Sequence, residues 1–273
     1  MTVTGASEQW ERYWRPQAPT VRSKTMSLIL DRIKMEYLQR LLPPSGVTLE
    51  VGAGSGRLSC WMGRSGYRTF CVDYAAQALQ AAKANYAEER VRGSLIRGDG
   101  FRLPLQDGSC DVVLSTGLLE HFADPSPIVC EMVRVLRPGG LFYSDIVPRK
   151  FSLFRSLEWL GRWKQRMTGS DDFDLPLFER PFSAEEIRLL LEQTHLQNIH
   201  VFAAGVIPPY LPLLSRSDRG RSLQVRFVEQ TRAFWQAWDR TRIAEWLGFY
   251  YFATGYKPTW IDRITAKDLQ GEP

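Results

Sequence analysis

Three glycines within five positions follow an apolar run in the segment VTLEVGAGSGRLSCW, residues 47–61. The run VTLEV predicts a buried strand and the residues after the glycines a helix, so the glycines occupy a strand-to-helix turn. Glycines at this density usually let a nucleotide-like ligand approach the backbone. This turn constrains the fold more than any other feature, because it calls for a strand–turn–helix unit with a ligand at its tip.

Predicted strands and helices alternate along the chain. The strands are 47–51, 68–73, 94–99, 111–116, 141–147, 198–205 and 248–257. The helices are 27–42, 56–66, 75–89, one from Asp124 to the segment LRPGG (136–140), and one that opens at a capping box of Ser183 and Glu186. Such alternation indicates right-handed βαβ units and a parallel, doubly wound sheet.

The 273 residues, 44% of them hydrophobic, suffice for one large core with insertions. We divide the chain into an N-terminal helical lid (1–44), a cofactor-binding core (45–147), a helical insertion (148–181), a core helix with strand six (182–207), an Arg/Trp-rich cap insertion (208–247), the last strand (248–258) and a tail (259–273). We see no secretory signal, no run long enough to span a membrane, and four scattered cysteines without a zinc or disulfide pattern. These features predict a cytoplasmic protein with reduced thiols and no metal.

The spacing Gly52-x-Gly54-x-Gly56 narrows the class of ligand. A dinucleotide-binding turn would carry its third glycine where this chain has Arg57. The Glu50 carboxylate at the strand tip would repel a pyrophosphate, and the Gly-Lys-Ser/Thr of a P-loop is missing. An acidic strand tip beside bare backbone suits a ligand with an amine and a positive centre, and S-adenosylmethionine has both.

Acidic residues at the next two strand ends agree with this ligand. Asp73 ends the second strand, where a carboxylate can accept from both ribose hydroxyls. Asp99 ends the third strand, in position to accept from an adenine amino group, and Phe101 is available to cover the ring. Tyr13 and Trp14, in the lid segment EQWERYW, can supply aromatic faces for a sulfonium, or can simply pack the N-terminal helix on the core.

The segments LEVGAGSGRLS, CVDYA, GDGFRLPLQDGSCDVVLSTGLLEHF and VLRPGGLFYSDI together resemble class I S-adenosylmethionine-dependent methyltransferases of the subgroup called type 11. The resemblance covers 45–147 strongly and 182–257 in outline. It implies an α/β fold with a doubly wound, seven-stranded, mostly parallel sheet, a final antiparallel strand and helical cap insertions. The cofactor-binding residues that we assign on this basis are Glu50, Gly52, Ala53, Gly54, Gly56, Asp73, Tyr74, Asp99, Gly100, Phe101 and Ser115.

The sequence favours a small-molecule acceptor. It lacks the Asp/Asn-Pro-Pro-Tyr of amino-directed DNA enzymes and the Pro-Cys nucleophile of cytosine C5 enzymes. Oxygen is the commonest acceptor atom in the subgroup, and nitrogen and carbon stay open. The formal charge of +5 and the segments RWKQR and RAFWQAWDR support an alternative, an RNA-associated or non-catalytic cofactor-binding protein. The modest charge and the lack of a recognised RNA-binding appendage speak against it.

His121 and Asp145 are the catalytic candidates. His121 follows the fourth strand in LLEHF, and Asp145 ends the neighbouring fifth strand, close enough to orient the imidazole or contact an acceptor hydroxyl. A histidine suits removal of a hydroxyl proton, because its unperturbed pKa lies near neutrality. The alternative is that Glu120 and His121 only hydrogen-bond the loop.

Two basic segments are candidates for acceptor binding. Residues 149–167 carry six basic residues against one acidic residue, and 216–242 carry seven arginines against three acidic residues. Apolar residues recur at helical spacing in both segments, at Phe154, Leu157, Leu160 and Met167 and at Phe227, Thr231, Phe234 and Trp238. The simplest interpretation is a small cap with its own apolar core. The sharper hypothesis is an amphipathic or anionic acceptor under that cap, such as a quinone, lipid or polyketide-like molecule, and a weaker variant is membrane docking through 151–167.

Overall fold

The computed structural model describes residues 10–11, 13–14, 26–147, 150–157, 179–211, 214 and 217–259. Seven strands are found in this part of the chain: β1 (Val47–Val51), β2 (Arg68–Asp73), β3 (Gly93–Arg97), β4 (Cys110–Thr116), β5 (Leu136–Ile146), β6 (Gln197–Ala204) and β7 (Tyr250–Tyr256). The helices are α1 (Met26–Leu38), α2 (Arg57–Arg64), α3 (Ala76–Glu88), α4 (Ser126–Val135), α5 (Ala184–Glu192), α6 (Asp218–Gln236) and α7 (Arg242–Leu247). Short 3₁₀ helices cover Leu119–His121 and Phe154–Leu157.

The seven strands form one sheet in the order β3-β2-β1-β4-β5-β7-β6. The strands from β3 to β5 pair in parallel, and β7 is antiparallel to both of its neighbours. This confirms the doubly wound, mostly parallel α/β fold. The order reverses between β1 and β4, and ligands of open α/β sheets bind at the carboxyl ends of the strands beside such a switch point.

Both faces of the sheet are covered. On one face Val113 and Phe142 join a core with Ile128 of α4, and on the other face their chain neighbours Leu114 and Tyr143 join a core with α1. Successive residues point to opposite faces of a strand, so a strand with both faces covered reads as a continuous apolar run. The strands that lead to the candidate site are therefore packed on both faces.

Several element ends differ from the predicted ones. Helix α1 ends at Leu38, before the Pro43-Pro44 pair, and α4 begins at Ser126 with Pro125 at its N-cap. The segment LRPGG belongs to the start of β5, because Leu136 pairs with Cys110 ahead of a register shift in the β4–β5 ladder. The capping box of Ser183 and Glu186 forms as predicted.

Only part of the two predicted insertions lies within the described residues. Of the segment 151–167, only residues up to 157 are described, and they hold the 3₁₀ helix; Leu160 and Met167 lie outside the described residues. In the second insertion, Phe227 and Phe234 of α6 are exposed and do not form the apolar core of a cap. Cys130 is exposed, whereas Cys60, Cys71 and Cys110 are buried as expected.

Candidate active site

The glycine turn after β1 has a backbone that only glycine adopts easily. Gly52, Gly54 and Gly56 all lie in the left-handed region, with φ of +65°, +53° and +62°. A Cβ on Gly54 would lie 2.4 Å from the Trp14 ring, and a Cβ on Gly52 would lie 2.6 Å from a Leu118 methyl. The turn thus exposes bare backbone to groups that pack directly on it.

Glu50 supports the turn from inside. Its side chain is 1% exposed, and Oε2 accepts hydrogen bonds from the Ser59 backbone N–H at 3.1 Å and from its hydroxyl at 2.5 Å. Burial raises the pKa of Glu50 to about 7. The carboxylate does not stand free at the strand tip, which corrects the sequence-based picture. Because it occupies the N-terminal turn of α2, a pyrophosphate would meet it there.

Asp73 lies at the carboxyl end of β2, next to the switch point. Its Oδ2 accepts from the Gly54 N–H and its Oδ1 from the Ala75 N–H, both at 2.8 Å. Each carboxylate oxygen has a second lone pair, so the pair of oxygens can also accept from two hydroxyl groups. Tyr74 beside it is exposed, whereas Ala53 is buried and donates its N–H to the Val72 carbonyl oxygen.

Asp99 and Phe101 follow β3 on the same edge of the sheet. The Asp99 Oδ1 accepts from the Phe101 N–H at 2.9 Å, which closes a tight turn around Gly100. The Phe101 ring is exposed and meets Phe122 edge-on, with centroids 5.4 Å apart. Phe122 follows β4, so this pair of rings connects two strand ends and offers an apolar surface to a flat ligand.

The structure corrects the role expected for the Ser115 side chain. Its side chain is fully buried, and its hydroxyl shares a hydrogen bond of 3.0 Å with the hydroxyl of Ser144 on β5. The hydroxyl therefore joins two strands inside the sheet, and any cofactor contact would have to come from the backbone.

The described part of the N-terminal segment lies over the glycine turn. Trp14 packs on Gly54, and the Trp10 ring meets the His121 ring edge-on at 4.8 Å. Tyr13 contacts both tryptophan rings and is half exposed. Glu11 accepts from the N–H groups of Ala76 and Gln77, the first turn of α3. The sequence pointed to the aromatic residues, but not to this carboxylate, which anchors the segment to a helix N-terminus.

His121 ends the 3₁₀ helix after β4 and is partly buried. Its ring is thus at the carboxyl edge of the sheet, beside the switch point and against the covering segment. The structure places it where a group at the strand ends can reach it, and its role in proton transfer stays a prediction.

The structure also corrects the role expected for Asp145. Its side chain is fully buried, and its partner is Lys34 of α1, with Nζ 3.0 Å from Oδ1. Lys34 also lies 3.9 Å from Asp31, which in turn pairs with Arg57 beside the glycine turn. Burial raises the pKa of Asp145 to about 6 although the Lys34 ammonium lowers it. A carboxylate without exposed surface cannot contact an acceptor hydroxyl, so that expectation is wrong for this conformation.

Glu120 is the residue that sequence analysis undervalued. Its Oε1 accepts from the Val147 N–H at 2.8 Å, and its backbone carbonyl oxygen accepts from the Arg180 N–H at 2.7 Å. Oε2 is buried without a hydrogen-bond partner among the described residues. Burial raises the pKa of Glu120 to about 8. This one residue joins three loops at the carboxyl edge, and only the contacts in space reveal it.

These binding groups fit a cationic nucleoside cofactor better than a dinucleotide. Asp73 can bind two hydroxyls, Phe101 offers an apolar face, and the glycine turn gives close backbone approach. No basic side chain serves the turn as a phosphate ligand among the described residues, because Arg57 is paired with Asp31. The described part of the chain also contains no group of three or more His, Cys, Asp or Glu placed to hold a metal ion, and no helix long and apolar enough to cross a membrane.

Comparison with known sequences finds similarity over the region that contains the glycine turn and the strand ends. Residues 49–144 match the family model described as a methyltransferase domain. An uncharacterized methyltransferase of Mycobacterium sp. (strain KMS) is 39% identical over 127 residues, which is 46% of this chain and 45% of that protein. The ubiquinone biosynthesis O-methyltransferase of Xanthomonas axonopodis pv. citri (strain 306) is 33% identical over 129 residues, 45% of this chain and 54% of that protein. The chain thus spans about half the length of the curated relatives it matches.

Solved structures share the fold across most of the chain. A S-adenosylmethionine-dependent methyltransferase from Archaeoglobus fulgidus has a TM-score of 0.56 at 13% identity, covering 86% of this chain and 95% of that one. Phosphoethanolamine N-methyltransferase 2 of Haemonchus contortus, solved with S-adenosylmethionine, has a TM-score of 0.55 at 17% identity, covering 84% and 53%. The [4+2]-cyclase SpnF has a TM-score of 0.54 at 18% identity, covering 84% and 81%. Identities this low establish the fold alone.

Proposed function

We propose that this protein is a class I S-adenosylmethionine-dependent methyltransferase that methylates a hydroxyl group of a small amphipathic or anionic metabolite, because residues 49–144 match the model of a methyltransferase domain. The observation that carries the proposal is the Asp73 carboxylate, fixed by two backbone N–H groups at the carboxyl end of β2. It stands next to the switch point between β1 and β4, with both oxygens able to accept further hydrogen bonds.

Cofactor binding is the first test, since the fold also occurs in a cyclase and does not by itself establish methyl transfer. Calorimetric titration with S-adenosylmethionine and S-adenosylhomocysteine should show one site. Asp73→Ala should lose most of this affinity, and Asp124→Ala, which removes an exposed carboxylate next to α4, should keep it. Tight binding by Asp73→Ala would contradict the assignment.

A hydroxyl acceptor is the finer part of the proposal. It is supported by the similarity to ubiquinone biosynthesis O-methyltransferases, and by a histidine at the strand edge where an acceptor would meet the cofactor. The bound cofactor supplies an electrophilic methyl group on a sulfonium. His121 would take the proton of the acceptor hydroxyl as the O–CH₃ bond forms and the S–CH₃ bond breaks, with S-adenosylhomocysteine as the leaving group. The Trp10 ring packs against this histidine, and Phe122, the next residue along the chain, adds apolar surface beside it.

The catalytic test compares two histidine variants against a panel of phenolic and quinol acceptors with isotopically labelled methyl donor. His121→Ala should keep cofactor affinity and lose roughly 10²–10⁴-fold in turnover, the usual contribution of a general base. His195→Ala, which alters a histidine after α5, should behave like wild type. If His121→Ala turns over normally between pH 6 and 9, positioning alone accounts for the reaction. Labelled product analysis shows directly whether oxygen, nitrogen or carbon receives the methyl group.

A further inference from the structure

Three large apolar side chains of helix α6 lie on its outer side. Leu223, Phe227 and Phe234 are 61%, 51% and 60% exposed. At 100° per residue these three positions lie within about 40° of one another, so they form one stripe along the helix. Trp238 follows the helix end, and its ring contacts that of Phe234 with centroids 6.4 Å apart. We call these four residues the apolar stripe. It is about 22 Å long at 1.5 Å per residue.

The opposite face of α6 carries the ion pairs. Arg232 bonds Glu36 of α1 at 2.8 Å and Asp239 at 3.0 Å, and Glu229 pairs with Arg32 of α1. A surface helix normally buries its apolar face and exposes its charges. Here Val228 packs into the core that includes α1 beside these ion pairs, and the stripe nevertheless faces outward. An exposed apolar surface of this kind indicates an interaction site.

Arginines without partners flank the stripe. Arg219 and Arg226 project within about 60° of Leu223 on the same side of the helix, and Arg242 opens α7. None of the three has an ion-pair partner among the described residues. Of the nearby acidic residues, Asp218 and Glu229 are paired, and Glu245 of α7 is exposed. Helix α7 adds Trp246, which is 76% exposed. The exposed sides of α6 and α7 therefore combine apolar and aromatic groups with a net positive charge.

We propose that α6 and α7 dock on an anionic lipid surface. Phe, Leu and Trp side chains insert at the boundary between headgroups and acyl chains, while arginines beside them bind lipid phosphates. A single outward ridge suits a deformable medium, since it needs no groove of matching shape. The site differs from the segment 151–167 that the sequence singled out for membrane contact, and the proposal does not depend on methyl transfer.

Vesicle sedimentation with the full chain tests the proposal, without cofactor or acceptor. Wild type should sediment with vesicles of phosphatidylglycerol and phosphatidylcholine, and much less with phosphatidylcholine alone. Arg219→Glu with Arg226→Glu and Arg242→Glu should lose about 100-fold or more in partitioning, since each arginine near an anionic surface contributes about fivefold. Phe227→Ser with Phe234→Ser and Trp246→Ser should lose at least about tenfold.

Two matched controls separate the site from general charge and apolarity. Lys83→Glu with Arg90→Glu and Arg92→Glu makes the same charge change on the α3–β3 side of the sheet, and Leu41→Ser with Leu189→Ser removes exposed leucines elsewhere. Both should sediment like wild type. Circular dichroism and thermal melting of every variant verify that it is folded.

Two results would overturn the proposal. In the first, wild type does not sediment with anionic vesicles. If light scattering then shows a dimer that Phe227→Ser with Phe234→Ser and Trp246→Ser abolishes, the stripe binds a second copy of the chain. If light scattering shows a monomer, the stripe is assigned to a protein partner. In the second, the stripe and arginine variants sediment as well as their controls, which places any lipid binding elsewhere on the chain.

Discussion

Glu120→Gln should make the protein more stable at neutral and alkaline pH, although it removes an ionisable group from the candidate site. Wild type holds this carboxyl fully inside, with one oxygen bonded to the Val147 N–H and the other without a described partner. The amide keeps the shape and can accept the same hydrogen bond through its oxygen. The difference between the two proteins therefore isolates the free energy of ionising a buried carboxyl.

The sign and size follow from the pKa. Burial raises the pKa of Glu120 from an ordinary 4.5 to about 8, so the folded state holds a proton that the unfolded state has already released. Between these two values wild type loses stability as the pH rises, and the amide does not. At about 1.4 kcal/mol per pH unit, the relative gain of Glu120→Gln reaches roughly 3 kcal/mol by pH 7 and on the order of 5 kcal/mol above pH 8. Below pH 4.5 the two proteins should be equally stable.

Urea unfolding of both proteins from pH 4 to pH 9, followed by circular dichroism, measures this difference. Glu186→Gln is the control of opposite sign, because hydrogen bonds from Ser183 lower the pKa of the Glu186 carboxylate. That variant should lose stability above the ordinary carboxyl pKa and recover as the pH falls through the lowered one. A difference between wild type and Glu120→Gln that does not change with pH would refute the reasoning.

Three further predictions concern the supports of the site. Lys34→Met leaves the buried Asp145 carboxylate unpaired and should cost about 3–5 kcal/mol in unfolding free energy at pH 8, with a smaller loss at pH 5, where Asp145 takes up a proton; urea unfolding at the two pH values checks it. Gly54→Ala puts a Cβ at φ +53° against the Trp14 ring; calorimetry should show weaker cofactor binding, partly restored in a Trp14→Ala background. Ser183→Ala removes the N-cap of α5 and should cost about 1 kcal/mol in thermal or urea unfolding, without a change in cofactor affinity.

The sequence by itself determined the frame of this protein. Short apolar runs, separated by segments with helical periodicity, located all seven strands to within a few residues. The glycine turn located the edge of the sheet at which a ligand is expected. Local signals were sufficient there, because a strand buried on both faces and a turn in the left-handed region each leave a mark in contiguous residues. The capping box at Ser183 was readable for the same reason, since its partner lies three residues away.

The tertiary structure decided which polar groups face the ligand and which support the fold. Asp145, Ser115 and Glu50 all lie near strand ends. Their side chains are nevertheless buried, where they contact Lys34, Ser144 and Ser59, respectively. Strand position indicates where a residue lies along the sheet and leaves its partner unspecified, because that partner comes from a distant part of the chain. Helical spacing likewise grouped Phe227 and Phe234 on one face of α6. Only the packing of α6 on α1, through Val228 and the ion pairs, determined that this face points to the outside.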